Sequence, residues 1–243
     1  NKRHTVNPSI KQIKDNRKNF TEFYTSSFSK HFSPYLTWLS IRLGITPNGI
    51  TYIMWITGLL AAFLLLSNSV IVSAIAGILL ISINILDTSD GEVARLTGQT
   101  SSFGLALDKT AHFTTNIILF YCLGISMSGF YDSSIPTHLS LALILVACSD
   151  ELIKELYLLE SLKKNNNNPS KADISYDREK MTHFIVHVTA GGTGLYHIFP
   201  IMILIDWSLD IGRSAQSIYL LYYLLVNTMK FVVRFLSVKK KLS

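Results

Sequence analysis

The chain has 243 residues, of which 49% are hydrophobic and only 16% are charged. Because a soluble globular domain usually carries about 25% charged residues, this composition favours one compact membrane domain over several soluble ones. The formal net charge is +6, but no basic stripe with interleaved aromatic residues occurs, which argues against a nucleic-acid partner.

The N-terminal region divides into two parts. Residues 1–32 are polar and basic, and we predict that they form a cytoplasmic arm ahead of a membrane domain at 33–243. The segment SPYLTWLSIRLG (33–44) places most of its apolar side chains near one face of a short helix. Such an amphipathic helix can lie in the lipid headgroup layer, with Trp38 as an anchor. We therefore predict an N-terminal interfacial amphipathic helix.

Six apolar runs follow, and each is near the length of about 20 residues that a helix needs to cross a bilayer. They cover 48–67, 70–95, 103–126, 136–158, 183–206 and 215–238. The predicted fold is therefore an all-α integral membrane domain with six transmembrane helices.

The distribution of basic residues predicts the orientation of these helices. Lysine and arginine are concentrated in the N-terminal arm, between residues 159 and 182, and at the C-terminus, whereas the three opposite loops contain only Arg213. By the positive-inside rule, both termini and the 159–182 loop face the cytoplasm. The same basic residues predict affinity for anionic lipid headgroups.

A series of polar residues interrupts the second and third spans. Asp87 and Asp90 are three residues apart and share one helix face, and Asp108 and His112 are four apart and share a face of the next helix. A short polar turn at 97–102 joins these helices, so that they run antiparallel. The four side chains are therefore predicted to converge near the cytoplasmic end of the bundle.

Clustered acids in a membrane require a compensating charge. An ionised carboxylate that faces lipid costs several kcal/mol, so these side chains should face the bundle interior and have a partner. Arg95 and Lys109 are too few to neutralise the series, and a divalent metal would supply the missing charge; carboxylate ligands suit magnesium or manganese. Gly91 and Gly104 leave room beside the carboxylates. The alternative is an internal salt-bridge network without chemistry.

The sequence DTSDGEVAR (87–95) is followed by eight residues and then by GLALDKTAH (104–112). This pattern resembles the signature of the CDP-alcohol phosphotransferase family, D-x-x-D-G-x-x-A-R, about eight residues, and G-x-x-x-D-x-x-x-D. Seven of its eight fixed positions match.

The resemblance implies a reaction, its cofactors and a set of residues. A CDP-alcohol would bind in a polar cavity open to the cytoplasm, two divalent ions, Mg or Mn, would hold its diphosphate, and an acceptor hydroxyl would attack the β-phosphate so that CMP leaves. The implied metal ligands are Asp87, Asp90, Asp108 and the residue at His112. The implied CDP-binding residues are Asn48, Thr51, Asp87, Gly91, Ala94, Arg95, Gly104 and Asp108. The family also implies membrane lipid partners and a homodimer.

His112 is the one departure from the signature, which has an aspartate there as metal ligand and catalytic base. Histidine can act as a base, since its ordinary pKa near 6.5 suits that role. It is a poorer ligand for magnesium and a better one for manganese or zinc. Three interpretations stay open: a working histidine base with an altered metal preference, a weakened or inactive site, and a bystander histidine with another acid, of which Glu92 is the nearest, as the base.

Three cations in the later spans are candidates for binding an acceptor that carries a phosphate, namely Lys154, Lys230 and Arg234. An ionisable side chain inside a membrane is a functional candidate by default. The alternatives are structural: Lys154 can pair with Asp150 on its own helix, and Lys230 and Arg234 can extend toward the headgroups.

Two other functions also use clustered acids in a membrane. An intramembrane prenyltransferase holds a diphosphate through aspartates and magnesium, but such proteins have more spans and a second aspartate-rich element. A metal transporter or channel would distribute its ligands along a path through the bilayer, whereas these acids lie at one end. Phosphotransfer to make a phospholipid or a polar headgroup is therefore the favoured function.

Overall fold

The computed structural model describes residues 8–15, 23–164 and 192–242. These residues form eight α-helices without a strand, so the all-α prediction is confirmed for the part of the chain that is described. The helices are α1 (Ile10–Asp15), α2 (Phe23–Arg42), α3 (Pro47–Leu64), α4 (Val70–Thr97), α5 (Ser102–Tyr131), α6 (Ile135–Lys164), α7 (Gly192–Leu209) and α8 (Ser214–Leu242).

Four of these helices are long and apolar enough to cross a membrane, as expected of an integral membrane protein. They are α3, α4, α5 and the part of α8 from Ser214 to Lys239. Helix α6 has sufficient length but carries four charged residues between 150 and 155. The apolar part of α7 is short (Leu195–Leu209), and residues 183–191 of the predicted fifth span lie outside the described residues. The number of six spans stays a prediction.

The helices from α3 onward form a closed ring in which each packs against two neighbours. The order around the ring is α3, α4, α7, α8, α6, α5 and back to α3. Side chains from these helices meet in one apolar core, which includes Met54, Leu80, Leu119, Leu143, Phe199 and Tyr223. Small residues allow close approach: a Cβ on Gly58 of α3 would lie 2.5 Å from Thr115 Cγ2 of α5.

Local caps define the ends of α3, α4 and α5 that carry the polar series. Helix α4 ends at Gly98, whose φ of 66° lies in the left-handed region that favours glycine. The Ser101 hydroxyl then accepts a hydrogen bond of 2.9 Å from Gly104 N and so caps the start of α5. Pro47 begins α3, where it has no amide proton to leave unpaired. These caps fix where α3 begins, where α4 ends and where α5 begins, and packing among the three helices brings those ends together.

Helix α2 begins ten residues before the interfacial helix predicted at 33–44, and it continues through Pro34. This helix buries its hydroxyl side chains and exposes large apolar side chains, which is the reverse of the pattern on a surface helix of a soluble protein. The buried row, called the hydroxyl row below, is Ser29, Ser33, Thr37 and Ser40, and the exposed row is Phe32, Tyr35 and Leu39. A position of this helix in the headgroup layer stays a prediction.

Two buried charged residues, Arg213 and Asp206, form hydrogen bonds at the end of the helix bundle opposite to the polar series. The guanidinium of Arg213 is 7% exposed and donates to Ser126 Oγ (2.6 Å), Ser67 O (3.0 Å) and Asn68 Oδ1 (3.2 Å). Burial lowers the pKa of Arg213, and the Asp206 carboxylate opposes that shift. Asp206 itself accepts from two amides in the first turn of α8, at 2.7 and 3.1 Å. This end of the bundle is therefore fastened by hydrogen bonds rather than by apolar packing alone.

Candidate metal centre

Three side chains of the polar series converge between α4 and α5. One potential ligand atom from each of Asp87, Asp108 and His112 lies within 4.8 Å of the others. His112 Nε2 is 3.1 Å from Asp87 Oδ1 and 3.5 Å from Asp108 Oδ1. The side chains are 37%, 32% and 29% exposed, so a ligand from solution can reach them. This spacing of two oxygen donors and one nitrogen donor suits a divalent cation.

The state of Asp108 supports the fit of a cation. Its Oδ1 atom is buried and has no hydrogen-bond partner in the described part of the chain. A buried carboxylate oxygen that no donor satisfies is costly, and a cation between Asp87 and Asp108 would remove that cost. The neighbouring Lys109 pairs with Glu155 of α6 instead of with Asp108.

Asp90 lies beside this cluster and is linked to α3. It is 9% exposed, and its Oδ2 atom accepts a hydrogen bond of 2.8 Å from the Thr51 hydroxyl. The same hydroxyl lies 3.2 Å from Pro47 O, one turn earlier in α3. Thr51, predicted from the resemblance to lie in the CDP site, therefore holds one of the predicted metal ligands in place.

The two signature glycines border on other predicted site residues. A Cβ on Gly91 would lie 3.1 Å from Nη1 of Arg95, and a Cβ on Gly104 would lie 3.0 Å from Oδ1 of Asn48. Ala94 is half-buried on the same stretch of α4. The structure thus brings the start of α3, the end of α4 and the start of α5 to one place, as a shared site requires.

A second set of polar side chains, called the polar layer, lies next to the cluster. The Tyr196 hydroxyl of α7 donates to Asn116 Oδ1 of α5 at 2.6 Å, and Asn84 Nδ2 of α4 is 3.0 Å from His197 Nε2. The rings of Tyr196 and His112 are 6.4 Å apart. Helix α7 therefore places polar side chains next to the cluster.

The sequence analysis did not predict the polar layer, although the spacing of two of its residues indicates their position. Asn84 precedes Asp87 by three residues and Asn116 follows His112 by four, so each shares a helix face with a predicted ligand. Tyr196 had no such signal, because it is 80 residues from its partner Asn116.

Lys154 and Arg234, two of the cations proposed for the acceptor, form ion pairs in the structure. Lys154 Nζ lies 3.0 Å from Glu151 Oε2, rather than pairing with Asp150, and the lysine is 56% exposed. Asp150 instead forms an ion pair with Arg234 of α8. Lys230 is half-buried one turn before Arg234. Lys230 and Arg234 therefore form, with Asp150, a charged group between α6 and α8, whereas Lys154 lies at the surface.

Glu92, the nearest spare acid, does not enter the cluster. It is 3% exposed and accepts hydrogen bonds from Ser33 Oγ at 3.0 Å and Thr37 Oγ1 at 2.6 Å, both on α2. Two residues along a helix correspond to a rotation of about 200°, so Glu92 and Asp90 lie on opposite faces of α4. Glu92 is therefore engaged with α2 and not with the predicted ligands.

The chain is similar to a known protein family and to a curated relative. The sequence model of the family described as CDP-alcohol phosphatidyltransferase matches residues 44–237. An archaetidylinositol phosphate synthase of Pyrococcus horikoshii is 39% identical over 88 residues, which are 36% of this chain and 44% of that protein. The chain thus matches less than half the length of this curated relative.

Proposed function

The chain belongs to the CDP-alcohol phosphatidyltransferase family, and we propose that it transfers a substituted phosphate group from a CDP-alcohol to an acceptor alcohol. The reaction releases CMP and forms a phosphodiester in phospholipid or polar-headgroup synthesis. The observation that carries this proposal is the convergence of Asp87, Asp108 and His112 within 4.8 Å, at the spacing of the family signature. Membership in this family also favours phosphotransfer over prenyl transfer and metal transport.

Two divalent cations are the proposed cofactors, with Asp87, Asp90, Asp108 and His112 as the residues that would hold them. When bound, such ions neutralise charge on the diphosphate and on the departing CMP. Because one of the donors is a nitrogen atom, we propose that Mn²⁺ binds more tightly than Mg²⁺ relative to an all-carboxylate site.

The chain's own residues position the donor and move a proton. Asn48, Thr51 and Arg95, together with the space at Gly91 and Gly104, are proposed to bind the CDP group. When it does not ligate a cation, the imidazole of His112 would accept the proton of the attacking hydroxyl, since an imidazolium has no lone pair left for a metal. Asp87 Oδ1, 3.1 Å from Nε2, would then stabilise the imidazolium. The ring of Tyr196 lies beside the imidazole, with 6.4 Å between the ring centroids.

The acceptor is proposed from the name of the relative and from the charged group on α6 and α8. Similarity to an archaetidylinositol phosphate synthase makes inositol phosphate the first acceptor to test. Lys230 and Arg234, with Lys154 nearby, would bind its phosphate, and Arg234 would exchange its bond with Asp150 for one with the ligand. We also propose that both termini and the site face the cytoplasm and that the protein is a homodimer.

The test is release of CMP by purified protein from a panel of CDP-alcohols, with and without inositol phosphate, in Mg²⁺ or Mn²⁺. Asp108→Asn should lower the rate by at least about 100-fold, since it removes a ligand charge at the reacting group. Asp132→Asn, which changes an exposed carboxylate at the other end of the bundle, is the matched control and should have no effect. Equal rates in all three proteins would refute the proposal.

A second candidate function is favoured by His112 itself, namely a family member with weakened catalysis. This version predicts that the protein binds Mn²⁺ but releases little CMP, and that His112→Asp raises the rate. High activity of the natural sequence would exclude it.

A further inference from the structure

Glu92 is a buried acid that the proposed reaction does not use. It stands between signature residues of α4, and its carboxylate accepts from Ser33 and Thr37 of the hydroxyl row. Thr37 Oγ1 also lies 3.0 Å from Ser89 Oγ, one residue before Asp90. All of these hydroxyl-bearing residues are fully buried (0% exposed). The result is a polar contact between α2 and α4 directly behind the candidate metal centre.

We propose that Glu92 is a positioning residue, which docks α2 on α4 and so fixes the rotation of α4 at which Asp87 and Asp90 face the site. This inference rests on the proposed function, because it concerns the same metal centre. An apolar contact would be tolerant of rotation, since apolar packing is not directional. Hydrogen bonds to both oxygens of a buried carboxylate are directional, and breaking two of them is costly at a buried polar group.

The rotation matters because the ligand atoms are far from the helix axis. A carboxylate oxygen about 6 Å from the axis moves by about 2 Å when the helix turns by about 20°. The ligand atoms of Asp87, Asp108 and His112 are within 4.8 Å of one another, so a displacement of that size on α4 alone would open the cluster. Errors of about 1 Å in the placement of reacting groups can lower a rate by about 100-fold.

The test compares Mn²⁺ affinity, measured by electron paramagnetic resonance, with kcat and KM for CMP release. Glu92→Ala should weaken Mn²⁺ binding by about 10-fold, the effect typical of losing a residue that orients a ligand, and should lower kcat by about 100-fold. Glu92→Gln should restore most of both, because a hydroxyl can rotate to accept from the new amide group.

Asp206→Ala is the matched control, since Asp206 is also a buried carboxylate with two hydrogen-bond donors, but at the opposite end of the bundle. It should lower the thermal unfolding temperature as Glu92→Ala does, and leave Mn²⁺ affinity unchanged. If Glu92→Ala does not fold, Thr37→Val and Thr37→Ser test the inference instead. Thr37→Val removes the hydroxyl that donates to Glu92 and keeps the size of the side chain, whereas Thr37→Ser keeps the hydroxyl. Thr37→Val should weaken Mn²⁺ binding, and Thr37→Ser should not.

The outcomes separate this inference from the proposed function. If the natural sequence binds Mn²⁺ but releases no CMP, the proposed function fails, and the Mn²⁺ affinities alone decide the role of Glu92. Wild-type Mn²⁺ affinity in Glu92→Ala and Thr37→Val would overturn the inference. So would a natural sequence that binds no Mn²⁺, because there would then be no metal centre to position.

Discussion

Replacing His112 with aspartate tests how the departure from the signature affects the metal centre. The substitution supplies an oxygen donor where the signature has one and adds a negative charge to a cluster that already contains Asp87 and Asp108. Both carboxylates are close to the imidazole, with Nε2 at 3.1 and 3.5 Å from their nearer oxygens. The change should therefore act on metal binding before it acts on anything else.

The size of the effect follows from these distances. Two unit charges about 4 Å apart interact by about 4 kcal/mol at an effective dielectric constant of about 20. Without metal this repulsion lowers the free energy of unfolding of the His112→Asp protein, and with Mg²⁺ bound the added charge becomes an attraction. After the cost of removing water from the ion, we expect a gain of about 1.4 to 2.8 kcal/mol, which is about 10- to 100-fold in Mg²⁺ affinity.

The assay is calorimetric titration of Mg²⁺ together with CMP release at saturating Mg²⁺. The rate should be unchanged or higher in His112→Asp. His112→Asn, which adds no charge, should not gain affinity, and His138→Asp, at an exposed histidine far from the site, should resemble the natural sequence. A large loss of rate with tighter Mg²⁺ binding would show that the imidazole is required as a base, and unchanged Mg²⁺ affinity would refute the reasoning on donor type and charge.

Three further substitutions test the packing and the hydrogen bonds around the site. Gly58→Ala should lower the free energy of unfolding, measured by thermal unfolding, by about 1–3 kcal/mol, because the new Cβ would lie 2.5 Å from a threonine methyl of α5. Gly129→Ala is the control and should have no effect, because a Cβ there meets nothing within 4 Å. Arg213→Ala should lower the free energy of unfolding by about 2–4 kcal/mol, since it removes three hydrogen bonds from a charged donor. Unchanged Mn²⁺ affinity in this variant would show that the two ends of the bundle are independent. Thr51→Val should slow CMP release by about 10-fold through loss of the bond to Asp90, and Thr51→Ser should retain the natural rate; equal rates would contradict a role for that hydroxyl.

The parts of the fold that depend on nearby residues were predictable from the sequence. Helices α3, α4 and α5 begin and end close to the predicted limits, because Pro47, Gly98 and Ser101 act on the backbone of their own turns. The approach of Asp87 to His112 follows from helix periodicity and one short connection. A pattern of this kind needs no knowledge of the rest of the chain.

The parts that depend on distant residues were not predictable. Tyr196 reaches the centre only because α7 closes the ring beside α4, and no local spacing reveals that neighbour. The contact of Glu92 with Thr37 joins residues 55 apart in sequence. The sequence of 33–44 predicts a helix with one apolar face. It does not show that the hydroxyl row on the other side donates to Glu92, because that acceptor belongs to α4.

The contact between α2 and α4 also affects where the protein can be cut. The match to the family begins at residue 44, just past the end of α2, so the donors Ser33 and Thr37 lie outside it. A chain shortened to the matched segment would retain every signature residue but lose both of these hydroxyls, together with the helix that packs on α4 beside Glu92. The contacts that hold α4 in place therefore extend beyond the segment that sequence similarity delimits.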